Sequence, residues 1–182
     1  MAGLDLNTAE QNELIQWIHG VIGSSFAHPE PSAPAFLSEM PRCGVFVTLH
    51  LGGALRGCIG YIQSDRPLEL TIREAAASAA FNDFRFSPLK EEEWKEIDLE
   101  ISLLSPMEKA SSPDELRMGE HGALLKAPRG QGLFLPQVAT EQNWNRETFM
   151  NQLCRKAGLS SDFWQTGSYT LFRFTARVYP QA

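Results

Sequence analysis

Apolar positions recur at helical spacing near the start of the chain. Leu14, Ile15, Ile18, Val21 and Ile22 predict an amphipathic helix. Thr8-Ala9-Glu10-Gln11 supplies a start signal, with Thr8 as the cap and Gln11 three residues on in a capping box. Pro29, Pro31, Pro34 and Pro41 then mark an ordered surface connection. From residue 43 the period changes from helical to two. Val45, Val47, Leu49 and Leu51 alternate, Gly52-Gly53 suits a primed turn, and a return strand follows through Tyr61, which predicts a β-hairpin. A two-residue turn sets Thr48 opposite Gly57 and Val47 opposite Cys58. It places Arg56 and Cys58 on one face, with Leu55, Ile59 and Tyr61 toward the core.

Pro67 fits the first turn of a second helix running to about Asn82, and the small residues of "REAAASAAF" let that helix pack closely on a sheet. Pro88 is read as the stop. "IDLEISLLS" alternates as a strand with Ile97, Leu99, Ile101 and Leu103 on one face. "MGEHGALLKAPRGQGLFLP" reads as short strands joined by turns. "NRETFMNQLCRKAG" reads as a helix capped by Asn145 and ended by Gly158, with Arg155 and Lys156 at its negative end. "YTLFRFTARVY" reads as one closing strand that buries Phe172, Phe174, Ala176 and Val178. Hairpins and neighbouring strands with interspersed helices predict an α+β fold with mainly antiparallel pairing.

Composition narrows the function classes. The 182 residues are 43% hydrophobic, enough for one substantial core or a core plus a small lobe. A net charge of −6 argues against nucleic acid as partner. No apolar run is long enough to span a bilayer, and the N-terminal residues lack the pattern of a secretory signal. A soluble cytoplasmic protein without a membrane partner is expected. Three widely spaced cysteines, Cys43, Cys58 and Cys154, suggest neither a disulfide framework nor a local zinc site, and fit a reducing compartment.

The blocks "GVFVTL", "LRGCIG", "EISLLSP", "GEHGALL" and "LFLPQVA", with Asn82, Asp83 and "RFSPL" between the second and third, occur in the order that resembles the AMMECR family. Prokaryotic members of that family are called AmmeMemoRadiSam system protein A. The resemblance covers roughly Thr8 to Pro180, and "LRGCIG" is its signature. It implies a single AMMECR-type domain over residues 1–182 with two lobes. The larger is built from both chain ends around an antiparallel sheet, the smaller is inserted, and a cleft between them is lined near the signature. It also implies Memo-like and radical S-adenosylmethionine proteins as neighbours, and leaves reaction and cofactor unassigned. Where the family reads Asp-Pro-Arg-Phe, this chain has Asp83-Phe84-Arg85-Phe86, which removes a backbone restraint from that turn.

Against this background the candidate chemistry centres on residues 55–60. Cys58 suits a nucleophile if positive charge lies close, and Arg56 and Arg85 are such charges. The alternative is a small buried hydrophobe. Arg56 and Arg85 suit a clamp for a carboxylate or phosphate, or else pair with Asp83, Glu100 or another acid to hold the fold. Gly57 and Gly60 leave room for close approach of a ligand, or serve a β-bulge. His121 is read as a general base reaching Cys58, or as a residue tolerating an unusual turn. Gln137, after Pro136 at a helix start, is read as a donor to a ligand or to backbone. A metal would have Cys58, His121 and Asp83 as its mixed ligand set. An enzyme and a non-enzymatic adaptor with a structural Cys58 both remain open.

Overall fold

A computed structural model describes residues 4–181. The chain divides into two units: residues up to Leu104 together with those from Arg177 on, and the continuous segment Ser105–Ala176.

The first unit begins with helix α1 (Thr8–Gly23), and the proline-rich connection forms two short 3-10 turns, Ser24–Phe26 and Ala35–Ser38. Strands β1 (Gly44–Leu51) and β2 (Ala54–Tyr61) form the hairpin. Helices α2 (Leu68–Phe81) and α3 (Glu91–Trp94) precede strand β3 (Ile97–Leu104), and β8 (Ala176–Pro180) completes the sheet in the order β2-β1-β3-β8. β1 is antiparallel to both neighbours. Val45, Val47 and Leu49 of β1 and Leu99, Ile101 and Leu103 of β3 pack one face of the sheet into a core with Ile18 and Ile22 of α1 and Ile72 and Ala75 of α2. Burial at this level is the main stabilising term, about 25 cal/mol for each Å² of apolar surface removed from water. The opposite face of the same strands carries the polar partners of the alternation.

The second unit holds β4 (Glu108–Ala110), β5 (Gly122–Ala127), β6 (Gly130–Phe134), α4 (Pro136–Glu141), α5 (Arg146–Lys156), α6 (Phe163–Thr166) and β7 (Thr170–Phe174), with its sheet ordered β4-β7-β5-β6. Phe149, Met150, Leu153 and Cys154 of α5 are fully buried against Leu125 and Leu171.

The α+β class with antiparallel pairing is what the strands show. Four local expectations change. The cap of α1 is Asn7, whose side chain accepts from Ala9 and Glu10 while Glu10 returns to the Asn7 N–H, so the capping box sits one residue earlier than Thr8/Gln11. Pro67 caps α2 instead of entering its first turn, while α2 ends at Phe81 with Asn82 as its C-cap, as the sequence placed it, and Pro88 lies beyond that end. The closing strand is two strands in two sheets. It breaks at Thr175, which exchanges hydrogen bonds with Ser105, and it buries Leu171, Phe174 and Tyr179 in place of Phe172, Ala176 and Val178. Short α3 carries no apolar periodicity of its own and was not foreseen. No helix among the described residues is long and apolar enough to cross a membrane.

Candidate functional site

The hairpin turn Gly52-Gly53 takes positive φ at both residues, as a primed turn requires. Its register is not the simple one. Leu51 faces Ala54 and His50 faces Leu55, but the ladder then shifts, and Leu49 faces Gly57 and Thr48 faces Cys58. Arg56 is thus an extra residue on β2, a β-bulge, and the bulge breaks the alternation that would have put Arg56 beside Cys58. Leu55 consequently stands with His50 on the far face and is 43% exposed instead of lying in the core.

Arg56 turns to a carboxylate. Its Nε and Nη2 each donate to Glu93 at 2.9 Å, and its guanidinium lies 5.9 Å from the centre of the Phe86 ring. This pairing, together with the Lys90 N–H, holds Glu93 below the usual carboxylate range. Arg85 is committed in the same way. Its Nε donates to Asp83 Oδ1 at 2.9 Å and its Nη2 to Asp83 Oδ2 at 2.6 Å. Asp83 Oδ2 also accepts the Cys58 N–H at 2.9 Å, and Arg85 Nη2 donates to the Cys58 carbonyl at 3.2 Å. The two side chains therefore do for the outer edge of β2 what a neighbouring strand would do, satisfying both backbone groups of Cys58. The Asp83 side chain is 2% exposed. Arg85, first, and the backbone N–H donors after it hold its carboxyl well below the usual range, against the opposing effect of burial.

The turn around Phe84 is closed by the Phe86 N–H on the Asp83 carbonyl at 3.0 Å. The Asp83 side chain adds a second bond across the same turn, accepting from the Arg85 N–H at 3.2 Å. Phe84 itself is 95% exposed.

The glycines answer to packing. A Cβ on Gly57 would stand 2.2 Å from the Ala79 carbonyl oxygen of α2, and one on Gly60 would meet the Val45 carbonyl at 2.1 Å and the Phe46 ring at 2.6 Å. The protein itself fills the space both glycines vacate, so neither offers the room for a ligand that the sequence suggested.

Cys58 is half-buried, and its Sγ accepts from Thr48 Oγ1 at 3.4 Å. Across the far face the row continues to Glu100, which pairs with Thr48 on β3. Arg85 is raised above its ordinary value chiefly by Asp83, with attraction to Cys58 as a smaller cause. A hollow of about 350 Å³ on this unit is lined by Asn12, Ile15, Gln16, His19 and Gln181, none of them from the signature.

His121 and Gln137 belong to the second unit. His121 is buried, its Nδ1 accepts the Arg117 N–H at 3.1 Å, and its own N–H returns to the Arg117 carbonyl at 2.9 Å. The ring thus closes the 117–121 turn. The left-handed residue in that turn is Gly119, at φ +83°, and not His121. Gln137 is the second residue of α4, and its Oε1 is buried with no hydrogen-bond partner among the described residues. Among the described residues no three His, Cys, Asp or Glu side chains are gathered to hold a metal ion; of the Cys58–His121–Asp83 set, Cys58 and Asp83 belong to the first unit and His121 to the second. Sequence reading missed Glu93, Phe86 and Thr48. Thr48 was legible only with the bulge known, because one extra residue decides which β1 side chain meets the thiol.

The three cysteines divide sharply. Burial pushes the Cys43 thiol up to about 11 and also raises Cys154. Iodoacetamide is therefore expected to label Cys58 in the folded protein and Cys43 and Cys154 only after unfolding, as read by peptide mass spectrometry. Labelling of all three at one rate would contradict this burial pattern.

The AMMECR1 family profile matches residues 11–179. A protein of Methanothermobacter thermautotrophicus is 44% identical over 144 residues, covering 76% of this chain and 75% of its own. A protein of Thermococcus onnurineus is 37% identical over 169 residues, covering 87% and 81%. Among solved structures, the crystal structure of uncharacterized protein PH0010 from Pyrococcus horikoshii superposes with a TM-score of 0.81 at 32% identity, over 93% of this chain and 90% of that one.

Proposed function

This chain belongs to the AMMECR1 family, and we propose that it binds a small anionic group, or a modified side chain bearing one, beside Cys58 on the LRGCIG strand. One observation carries this reading. Arg85 is immobilised through its backbone N–H, Nε and Nη2, none of its four bonds uses Nη1, and the residue remains 45% exposed at its side chain. A guanidinium held in place by one carboxylate, with one nitrogen uncommitted and the side chain partly in water, is preorganised for a second acceptor. The half-buried Cys58 thiol and Thr48 hydroxyl lie on the adjoining strand positions. Arg56 has no such reserve of exposure, its side chain being 11% exposed and paired with Glu93, so it serves to hold α3 to β2 instead of clamping a ligand.

Because Asp83 already balances the charge of Arg85, affinity for a simple anion is expected to be modest. Inorganic phosphate or acetate in the millimolar range should slow iodoacetamide labelling of Cys58, while chloride at equal ionic strength should not. Equal rates in all three salts would overturn the reading. The same proposal places the protein in a reducing cytoplasm, where its three free thiols persist, and gives it Memo-like and radical S-adenosylmethionine partners on the strength of the family resemblance. A second reading, a non-enzymatic adaptor with a structural Cys58, is favoured by the exposure of Phe84 next to this group.

A further inference from the structure

The far face of the first sheet brings a second titratable side chain to the thiol. His50 and Thr48 share that face of β1, since β1 pairs with β3 without interruption, Thr48 with Glu100 and His50 with Asp98. On β2 the bulge returns Cys58 to the same face, directly opposite Thr48. His50 is therefore the diagonal neighbour of Cys58. Diagonal pairs lie about 7–8 Å apart at Cα, within reach of an aromatic side chain. His50 is half-buried, and its imidazole makes no hydrogen bond, ion pair or ring contact with any described residue. Asp98, directly across from it, is exposed and equally unengaged. The other charged groups facing this pair are Glu100 on β3 and, at the outer edge of β2, Asp83 with Arg85.

We infer that His50 is the proton acceptor for Cys58, with the charge of Asp98 across the strand pair favouring its protonated form. This rests on reading the Cys58 face as the working site. In the step itself the Cys58 S–H bond breaks, the proton passes to an imidazole nitrogen, and the sulfur keeps the electron pair as thiolate. Asp98 on the opposite side favours the imidazolium so formed. The thiolate then attacks an electrophilic carbon bearing a leaving group. With iodoacetamide an S–C bond forms, the C–I bond breaks, iodide departs, and the proton stays on His50. His121 does not serve here, because its Nδ1 is taken by the Arg117 N–H within its own turn.

The test is the rate of Cys58 alkylation by iodoacetamide in the intact protein, with folding checked by thermal melting. His50→Gln, which accepts no proton, should slow the reaction at pH 7 by about fivefold or more. The difference should vanish near pH 10, where hydroxide removes the thiol proton in both proteins. Asp98→Asn, at an exposed position, should slow it by a smaller factor and keeps the test open if His50→Gln does not fold. Unchanged rates at pH 7 in the folded variants overturn the inference, as does a slowing that persists undiminished at pH 10. The phosphate-protection assay is read separately. Lost protection with an intact His50 effect removes only the anion reading, and intact protection with no His50 effect removes only this one.

Discussion

Gly57→Ala is expected to destabilise the first unit by about 2–3 kcal/mol, the upper part of the range for inserting a methyl group where there is no room. The added Cβ would lie 2.2 Å from the Ala79 carbonyl oxygen and 3.1 Å from its carbon. Both atoms are backbone of α2, so no flexible side chain can swing aside. Either β2 moves outward, straining the Asp83 bond to Cys58, or α2 lifts from a core in which Ala75, Ala76 and Ala79 are buried. The small residues of α2 and the glycine of β2 are thus two halves of one close approach. Urea denaturation should show a lower midpoint with an unchanged slope. A midpoint equal to that of the natural chain would mean that helix and strand separate freely at this position.

Arg85→Ala is expected to cost about 2 kcal/mol near neutral pH, less than the loss of a wholly buried ion pair because Arg85 is itself partly in water. What remains behind is the nearly inaccessible carboxylate of Asp83, held only by the Cys58 and Arg85 N–H groups. The effect should depend on pH in a definite direction. Asp83 is depressed in the folded protein, with Arg85 the main cause. On acidification the unfolded chain therefore takes up this proton first, near the ordinary aspartate value of about 4. The stability Asp83 contributes is complete above that value and declines as the pH falls below it. Removing Arg85 removes most of the depression, so the gap between the two proteins should be widest at neutral pH and narrow in acid. A gap of constant size across that range would show that Arg85 acts through packing and not through the Asp83 charge.

Much of the fold is legible because it follows from local periodicity. The spacing of Leu14, Ile18 and Ile22, the alternation of Val45 through Leu51 and of Ile97 through Leu103, and the Asn145 cap and Gly158 stop of α5 each depend on neighbours in the chain. The site was less legible, since its geometry turns on one inserted residue. A bulge at Arg56 has no signature beyond the flanking glycine, yet it decides that Thr48 and not Val47 meets Cys58, and that Arg56 reaches Glu93. The break at Thr175 is hidden for a related reason. Phe172, Phe174, Ala176 and Val178 form an unbroken alternation, and only the exchange of bonds between Thr175 and the distant Ser105 separates the two strands. Asp83 and Arg85 stood out as a matched pair, but their role as the outer partner of a strand edge depends on a strand more than twenty residues upstream.

The first unit borrows its last strand from the far end of the chain. Tyr179 lies in its core, accepts the Leu6 N–H at 3.1 Å and donates to the Leu4 carbonyl, and the Gln181 N–H donates to the Leu99 carbonyl at 2.7 Å. The second unit is a continuous stretch. During synthesis, where domains generally fold as units, the unit translated first is therefore the last to have all its strands. Residues 105–176 can close their sheet as soon as they clear the exit tunnel. The segment made first, carrying α1, the hairpin and α2, must wait with an open sheet edge until β8 emerges. A chain cut just before Arg177 would keep every strand of the second sheet and leave β3 of the first with a bare edge.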